Sequence, residues 1–543
     1  MSMEVHAEPS GYKKSEIEGK IMKNKDMKIK QISKITVGLL SLLFLLAVTS
    51  QAQDSFWCGG DLMNMLDPNQ ADALQTALNQ AKGTIQWGLF GRGMRNSEET
   101  PLTGVVKYDP DKAWNGYTLL ASMGGYVDPD TGVNNPAILI DMEGNIVNAW
   151  PLTSTPSKLL PGGYIIGQEG RLGSSGGQTC PLVQLDWEGN KVWEWRGCPR
   201  SPGAEEMFGC HHDFQREGNP VGYYAPGMEP KAIEGKTLML SNYHPPVDQT
   251  AHISKHLLHD DALYEVDWEG NLLWEWYAWE HFDQMGFDEA ARQAIYENFA
   301  GFDPNGGSDY QHFNATSYLG PNKWYDAGDL RFHPDNIIFD CRSSNILAII
   351  ARYDHPDGLW ASGDIVWRVG PDYSYGNPEY KLGQIIGQHH VHMIPEGLPG
   401  AGNILLYDNG GNAGYGPLMP GLPPVSSNKL REYSRVLEFN PITLEVVWEY
   451  ANPQAQYDDE GNCIEASFFS PFISGATRLP NGNTLVCQGS NGRVFELTSE
   501  KEIVWEYISP HLGPVDPDAG RFGSTNVYRA YRVPSSWLPE GAG

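Results

Sequence analysis

The chain predicts a six-bladed β-propeller of four-stranded antiparallel blades, on three observations. The first is a phrase that closes six stretches of sequence: a β-run, a polar turn, then Val-Trp-Glu-Trp or a near variant. Its fullest copies end at Trp150, Trp195 and Trp276, and looser ones lie at Trp367, at Trp448 to Tyr450 and at Trp505 to Tyr507. Self-similarity on this scale marks a repeat architecture. The second is an upstream hairpin that also recurs: Leu159-Leu-Pro-Gly-Gly-Tyr, Met393-Ile-Pro-Glu-Gly and Arg478-Leu-Pro-Asn-Gly-Asn. The third is period-two alternation from Val106 onward, clearest in Arg493-Val-Phe-Glu-Leu followed by Glu502-Ile-Val-Trp-Glu-Tyr. Two hairpins per repeat give four antiparallel strands, the unit of a propeller blade. Six outer-strand copies give six blades.

The elements follow in order. Residues 1–52 read as an upstream extension and a secretory signal, the signal covering about 27–52. Lys28, Lys30 and Lys34 precede the apolar run Thr36 to Thr49, and Ser50-Gln51-Ala52 offers small residues for cleavage. Met27 is a candidate start. The run is short for a membrane span and no Cys follows it directly, so a periplasmic or secreted protein without membrane attachment after cleavage is expected. Residues 53–105 form a cap segment, with a helix from Pro68 to Lys82 whose Ala71, Leu74, Ala77, Leu78 and Ala81 share one stripe. Residues 106–543 form the propeller. Uneven Trp spacing places loops of differing length between strands, the longest insertion running from Ala278 to Tyr310 with a helical run from Asp288 to Phe299. The Trp-rich outer strands read as inter-blade packing and not as a ligand site.

Composition narrows the function. Of 543 residues, 40% are hydrophobic and 11% aromatic, enough for a large core. Formal charge is −29, and outside residues 1–52 there are 30 basic and 62 acidic groups. Such a surface repels nucleic acid and anionic lipid. An anionic small substrate would need a local cationic pocket. The seven cysteines leave an odd thiol, and Cys198 with Cys210 is the favoured disulfide in an oxidising compartment. No Cys-x-x-Cys, zinc spacing, P-loop, dinucleotide fingerprint or nucleophile elbow occurs, so neither metal nor cofactor is expected.

The repeat also serves as a ruler. In a propeller the innermost strands line the central channel. Counting six residues back from the turn that ends each inner strand gives His389 before Pro395, Ser474 before Pro480 and His212 before Gly218. The fourth inner strand begins His312-Phe-Asn314. Three blades thus bring a histidine to the same end of the same strand, with His211 beside His212. By alternation, His390 and His392 point away from His389, between strands. Arg342 follows the fourth inner strand and is expected to turn toward the axis, and Arg529, in the strand expected to close the ring, is expected to reach the channel. Arginine's planar fork matches tetrahedral oxyanions, and neutral imidazole is a competent nucleophile toward an electrophilic phosphorus or sulfur centre.

These residues resemble the bacterial arylsulfate sulfotransferases, which work without a nucleotide sulfate donor. The resemblance runs from about Val106 to Pro534. It rests on Asn115-Gly-Tyr-Thr-Leu-Leu, Leu139-Ile-Asp-Met-Glu-Gly-Asn-Ile-Val, His211-His-Asp, His312-Phe-Asn and Cys341-Arg-Ser. Gln388-His389, Asn403-Ile-Leu-Leu-Tyr-Asp-Asn-Gly and Asn526-Val-Tyr-Arg-Ala-Tyr-Arg complete it. It implies ping-pong transfer of a sulfuryl group from an aryl sulfate to a phenol, with His389 transiently sulfated. His212, His312, Asn314 and Arg342 would bind the sulfuryl group and assist the leaving and accepting oxygens. His211, Ser474 and Arg529 are added as substrate-binding candidates. The loop from Tyr318 to Pro334, between Asn314 and Arg342, is a departure from the family pattern.

Two other readings stand beside transfer. The same pocket acting on water would be an aryl sulfate hydrolase, and a secreted, non-catalytic propeller would bind a glycan or protein through its loops. Oligomeric state is left open, a homodimer included.

Overall fold

The computed structural model describes residues 103–542, except 124–135, 170–180, 197–209, 298–308, 418–423, 453–455, 458–462, 466–467 and 512–524. Six four-stranded antiparallel sheets are arranged as the blades of a propeller. From the inner strand outward, blade 1 contains Val527–Val533, Tyr117–Ser122, Ala137–Ile140 and Ile146–Trp150. Blade 2 contains Leu152–Leu160, Tyr164–Glu169, Leu182–Leu185 and Lys191–Trp195. Blade 3 contains Cys210–Arg216, Thr237–Tyr243, Asp260–Val266 and Leu272–Tyr277. Blade 4 contains Phe313–Tyr318, Ile337–Cys341, Ile346–Ile350 and Ile365–Val369. Blade 5 contains His389–Met393, Ile404–Asp408, Arg435–Phe439 and Val446–Ala451. Blade 6 contains Gly475–Arg478, Thr484–Gln488, Arg493–Leu497 and Ile503–Ile508, and Gly104–Tyr108 adds a fifth strand at its outer edge.

Burial explains the sequence pattern of each strand. Middle strands are covered on both faces and read as continuous apolar runs, as in Ile346–Ile350. Outer strands are half-exposed, and their tryptophans alternate with more open positions, as in Lys191–Trp195, where Trp193 and Trp195 are buried and Glu194 is not. The Asp-x-Glu-Gly-Asn turns before three outer strands share one geometry. Asp141, Asp186 and Asp267 each accept the backbone N–H and the side-chain amide of the Asn four residues on, at 2.7–3.0 Å. A Gly with positive φ (Gly144, Gly189, Gly270) permits the tight reversal.

The tryptophans do what the repeat predicts. Each blade contributes one indole N–H to a carbonyl of the next blade: Trp150 to Asp186, Trp193 to Trp268, Trp276 to Gly363, Trp367 to Pro441 and Trp448 to Ser499. Trp505 donates to the Met142 carbonyl at 2.9 Å and so joins blade 6 to blade 1. Blade 1 closes the ring a second time, because its inner strand comes from the end of the chain and pairs Leu119 with Tyr531.

In the 278–310 insertion, Ala278–Met285 is a 3₁₀ segment and Glu289–Glu297 a helix, matching the expected helical run. Phe282, Met285, Ala291 and Ile295 join the core beside Trp276 and Phe339. The cap helix, the signal segment and Cys198 lie outside the described residues, so the Cys198–Cys210 pairing does too. Cys210 packs its sulfur 3.8 Å from Met239, and Cys341 and Cys487 are buried free thiols.

Candidate active site

The inner strands do not run straight into the channel. Those of blades 1, 3, 4 and 5 each carry a β-bulge near the start, between Val527 and Ala530, Cys210 and Phe214, Phe313 and Ala315, and His389 and His392. At or just ahead of the bulge in blades 3 to 5 sits a histidine in the left-handed conformation: His212 (φ 57°), His312 (φ 52°) and His390 (φ 58°). Non-glycine residues rarely adopt it, and bulges commonly re-aim side chains at sites. Counting back from the turn therefore slips by one in blade 5. The backbone equivalent of His212 and His312 is His390, not His389, because the bulges differ in size: two extra residues in blade 3 and one in blades 4 and 5.

His389 nevertheless lies near enough to His212 and His312 to interact electrostatically with both. The rings of His212 and His312 lie 4.8 Å apart. His212 Nδ1 pairs with the Tyr528 hydroxyl at 2.8 Å, and its buried Nε2 has no hydrogen-bond partner among the described residues. His312 Nδ1 pairs with Asp309 at 2.5 Å. His389 Nδ1 pairs with Asn409 Oδ1 at 2.8 Å, and its Nε2 accepts the backbone N–H of Ile473 at 3.1 Å. Burial and then the Arg342 charge hold His389 well below the ordinary imidazole range. Burial and then the His312 charge do the same for His212. Both rings are neutral at neutral pH.

Arg342 is placed by its backbone, whose N–H donates to the His312 carbonyl at 3.1 Å. Its guanidinium forms no ion pair or hydrogen bond among the described residues, though Asp309 and Tyr415 are near enough to influence it electrostatically. The long loop after Tyr318 does not disturb this placement. It is ordered by the Asn322-capped helix Lys323–Asp326, by Trp324 donating to the Gly402 carbonyl and by Phe332 in the core, while Phe313–Tyr318 keeps its pairing with Ile337–Cys341.

The other expected residues take different places. Asn314 is fully buried; its amide donates to the Gln388 carbonyl at 2.9 Å, and its Oδ1 has no hydrogen-bond partner among the described residues. His211 lies behind His212, ring edge toward it at 4.8 Å, with Nε2 3.0 Å from Asp261. Ser474 is buried in a corner, bonding the Ser470 hydroxyl and the Gly489 N–H. Arg529 is locked between Asp213 (2.9 Å) and the Asn314 carbonyl.

Arg529 belongs to a second polar layer along the axis, built from inner strands of several blades. Lys158 of blade 2 and Arg529 of blade 1 both pair with Asp213 of blade 3. His390 and His392 of blade 5, with rings 4.8 Å apart, face this layer and not the inter-strand space expected for them. His392 Nε2 meets the Tyr223 hydroxyl at 3.0 Å, and the His390 ring lies 5.8 Å from that of Tyr531. Burial pushes Lys158 down to about 8 against the pull of Asp213, and pushes the Asp340 carboxyl up to about 8. With Asp340 neutral, this layer is cationic at neutral pH. The acidic chain thus has local positive charge at the axis, from Arg342 and from beneath.

Asp309, Asn409 and Tyr528 were not singled out by sequence. Asp309 ends a Gly-Gly-Ser-Asp stretch that reads as an ordinary loop. Asn409 lies inside the Asn403–Gly410 motif, yet only the fold reveals its reach to His389. Tyr528 adjoins Arg529 and was accessible to the same strand argument. Among the described residues no cluster of His, Cys, Asp or Glu is arranged to hold a metal ion, and no helix is long and apolar enough to cross a membrane.

The family model described as Arylsulfotransferase (ASST) matches residues 234–509, about half of the chain. That range includes His312, Asn314, Arg342, His389 and Asn409. Among solved structures, a protein of unknown function from Bacteroides caccae is 11% identical, covering 77% of this chain and 99% of its own, with a TM-score of 0.36. A streptogramin B lyase is 10% identical, covering 73% and 87%, with a TM-score of 0.28. No curated protein matches.

Proposed function

The chain belongs to the arylsulfotransferase family and is a sulfotransferase, and from that premise we propose ping-pong transfer of a sulfuryl group from an aryl sulfate ester to a phenolic acceptor through His389. The observation that carries this reading is a neutral, buried His389 beside an Arg342 guanidinium with no carboxylate partner among the described residues. In the first half-reaction the imidazole lone pair bonds to sulfur, and the sulfur–aryloxygen bond breaks with its pair on oxygen. His312, backed by Asp309, supplies the proton that the departing oxygen takes up. Arg342 holds the non-bridging oxygens while charge shifts toward the leaving group. The second half-reaction reverses these roles: the phenol gives its proton to His312, its oxygen bonds to sulfur and the N–S bond breaks.

The partners are therefore two small aromatic molecules, and the residues invoked require neither metal nor cofactor. Release of aryl alcohol from an aryl sulfate, followed with and without an added phenol, tests the reading. Transfer predicts that release accelerates with phenol and that sulfated phenol accumulates. Release indifferent to phenol would assign hydrolysis instead. Full activity in His389→Ala would remove the proposed nucleophile. We also propose an extracytoplasmic location, supported by three lysines followed by the apolar run Thr36 to Thr49. N-terminal sequencing of the protein from the periplasmic fraction tests it, and an uncleaved protein confined to the cytoplasm would refute it.

A further inference from the structure

Both ring nitrogens of His389 are held. Nδ1 lies 2.8 Å from Asn409 Oδ1 and 3.2 Å from the Gly387 carbonyl, both acceptors. Nε2 lies 3.1 Å from the Ile473 backbone nitrogen, which can only donate. The ring proton is therefore on Nδ1 and the lone pair on Nε2. The direction of the Asn409 amide is itself determined. Its Nδ2 donates to the Ser470 carbonyl at 2.7 Å and the Ile473 carbonyl at 2.8 Å, which turns Oδ1 toward the ring. Asn409 is fully buried, and its own carbonyl accepts the Ser434 hydroxyl at 2.8 Å, so the residue has little room to turn.

We propose that Asn409 is a positioning residue that holds His389 in the Nδ1–H tautomer, so that Nε2 is the atom that bonds to sulfur. The inference rests on the reading of His389 as nucleophile. When the Nε2 lone pair bonds to sulfur and the aryl oxygen leaves with its electron pair, the Nδ1 proton stays on the ring. The ring then carries positive charge, and the Asn409 carbonyl oxygen faces that charge at the N–H. The Ile473 N–H gives up its hydrogen bond as the N–S bond forms, because an imidazole nitrogen has one in-plane lone pair. Ile473 has φ 51° and Ser474 φ 89°, conformations that β-branched and other non-glycine residues rarely adopt. The cap on Nε2 thus comes from a turn held in a sparsely populated backbone state.

The test needs the full chain labelled with ¹⁵N in its histidine rings. Long-range ¹H–¹⁵N spectra assign each ring's tautomer, and His389→Gln identifies the His389 signals by their loss. The expected result is a His389 ring protonated on Nδ1. A ring protonated on Nε2 in the unmodified protein overturns the proposal without any variant having to fold. Asn409→Leu is expected to mix the tautomers and lower kcat about 100-fold with KM little changed. Asn409→Asp, which still accepts from Nδ1 but loses the two amide donations to Ser470 and Ile473, is expected to keep the Nδ1–H tautomer in the spectra. Asn409→Leu with an unchanged kcat, or a His389 ring protonated on Nε2 in Asn409→Asp, overturns it. If instead His389→Ala remains active, the nucleophile reading fails while the tautomer result stands on its own.

Discussion

Asp309 Oδ2 sits 2.5 Å from Nδ1 of His312, three residues further along the chain, at the mouth of the blade 4 inner strand. Burial alone would raise this carboxyl, but His312 outweighs it and holds Asp309 well below the ordinary carboxylate range. A carboxylate at Nδ1 orients the ring and leaves Nε2 to exchange protons with an ester oxygen. Asp309→Asn should therefore lower kcat about 100-fold for donors whose phenol is a poor leaving group. The loss should be far smaller for donors whose phenol departs unprotonated. A series of aryl sulfates, with kcat plotted against leaving-group pKa, gives the comparison. Equal slopes for the two proteins would show that Asp309 does not act through His312.

Arg342 is expected to act on the transition state more than on the fold. Its side chain has no hydrogen-bonded partner among the described residues, while its backbone N–H bond to His312 survives substitution. Arg342→Ala should cost about 10²- to 10³-fold in kcat while melting temperature changes little. Arg342→Lys should recover only part of this, since an ammonium cannot make the paired N–H contacts of a guanidinium. A loss confined to KM would mean that the guanidinium binds donor and transition state equally.

The pH dependence has a definite sign. His389 and His212 are both held well below the ordinary imidazole value, so the neutral nucleophile persists as pH falls through 6.5. An ordinary imidazole of pKa 6.5 would lose about three-quarters of its neutral form by pH 6. First-turnover release from a donor with a good leaving group should instead stay nearly constant from pH 7.5 to 6. Stopped-flow bursts at fixed ionic strength measure this, and a limb with its midpoint near 6.5 would contradict the neutral-site geometry. Stability should behave differently. The unfolded chain takes up protons on these histidines below pH 6.5 and the native state does not, so the melting temperature should fall as pH drops below that point.

The propeller was legible because its signal is local and repeated. The outer-strand Trp and the Asp-x-Glu-Gly-Asn turn each report a burial pattern or a turn geometry that a short window contains. His212, His312 and His389 were legible for a related reason, each lying next to a recognisable inner strand. What the sequence did not carry was the bulge. One extra residue in blade 5 against two in blade 3 shifts the register by one, so a count from Pro395 pairs His389 with His212 where the backbone pairs His390. Asp309 and Asn409 were hidden for another reason. Asp309 belongs to a loop of unremarkable composition, and Asn409 is 20 residues from the ring it holds, so only strand pairing in blade 5 brings the two together. Arg529 was expected to reach the channel, but its partner Asp213 is 316 residues away and takes up its charge.

That Asp213 pairing makes the last prediction. Asp213 is the only carboxylate that pairs directly with Lys158 and with Arg529 among the described residues, at 2.7 and 2.9 Å, and all three side chains are no more than 2% exposed. Removing one member of a buried charge group leaves the others uncompensated, at a cost of about 3–5 kcal/mol. Asp213→Asn should show that loss as a lowered melting temperature, and adding Lys158→Met should return part of it, a coupling that a double-mutant cycle isolates. The pH dependence separates charge from shape. Lys158 already sits near 8 in the folded protein, below its ordinary value, and losing Asp213 removes the influence that raises it. Between that depressed value and about 10.5 the unfolded chain holds the proton and the folded one does not, so stability gained from this site rises with pH. The deficit of Asp213→Asn should therefore narrow between pH 7 and pH 9. A deficit that is constant across this range would attribute the loss to packing and hydrogen bonds to Phe214 and Thr316 instead of to the two buried cations.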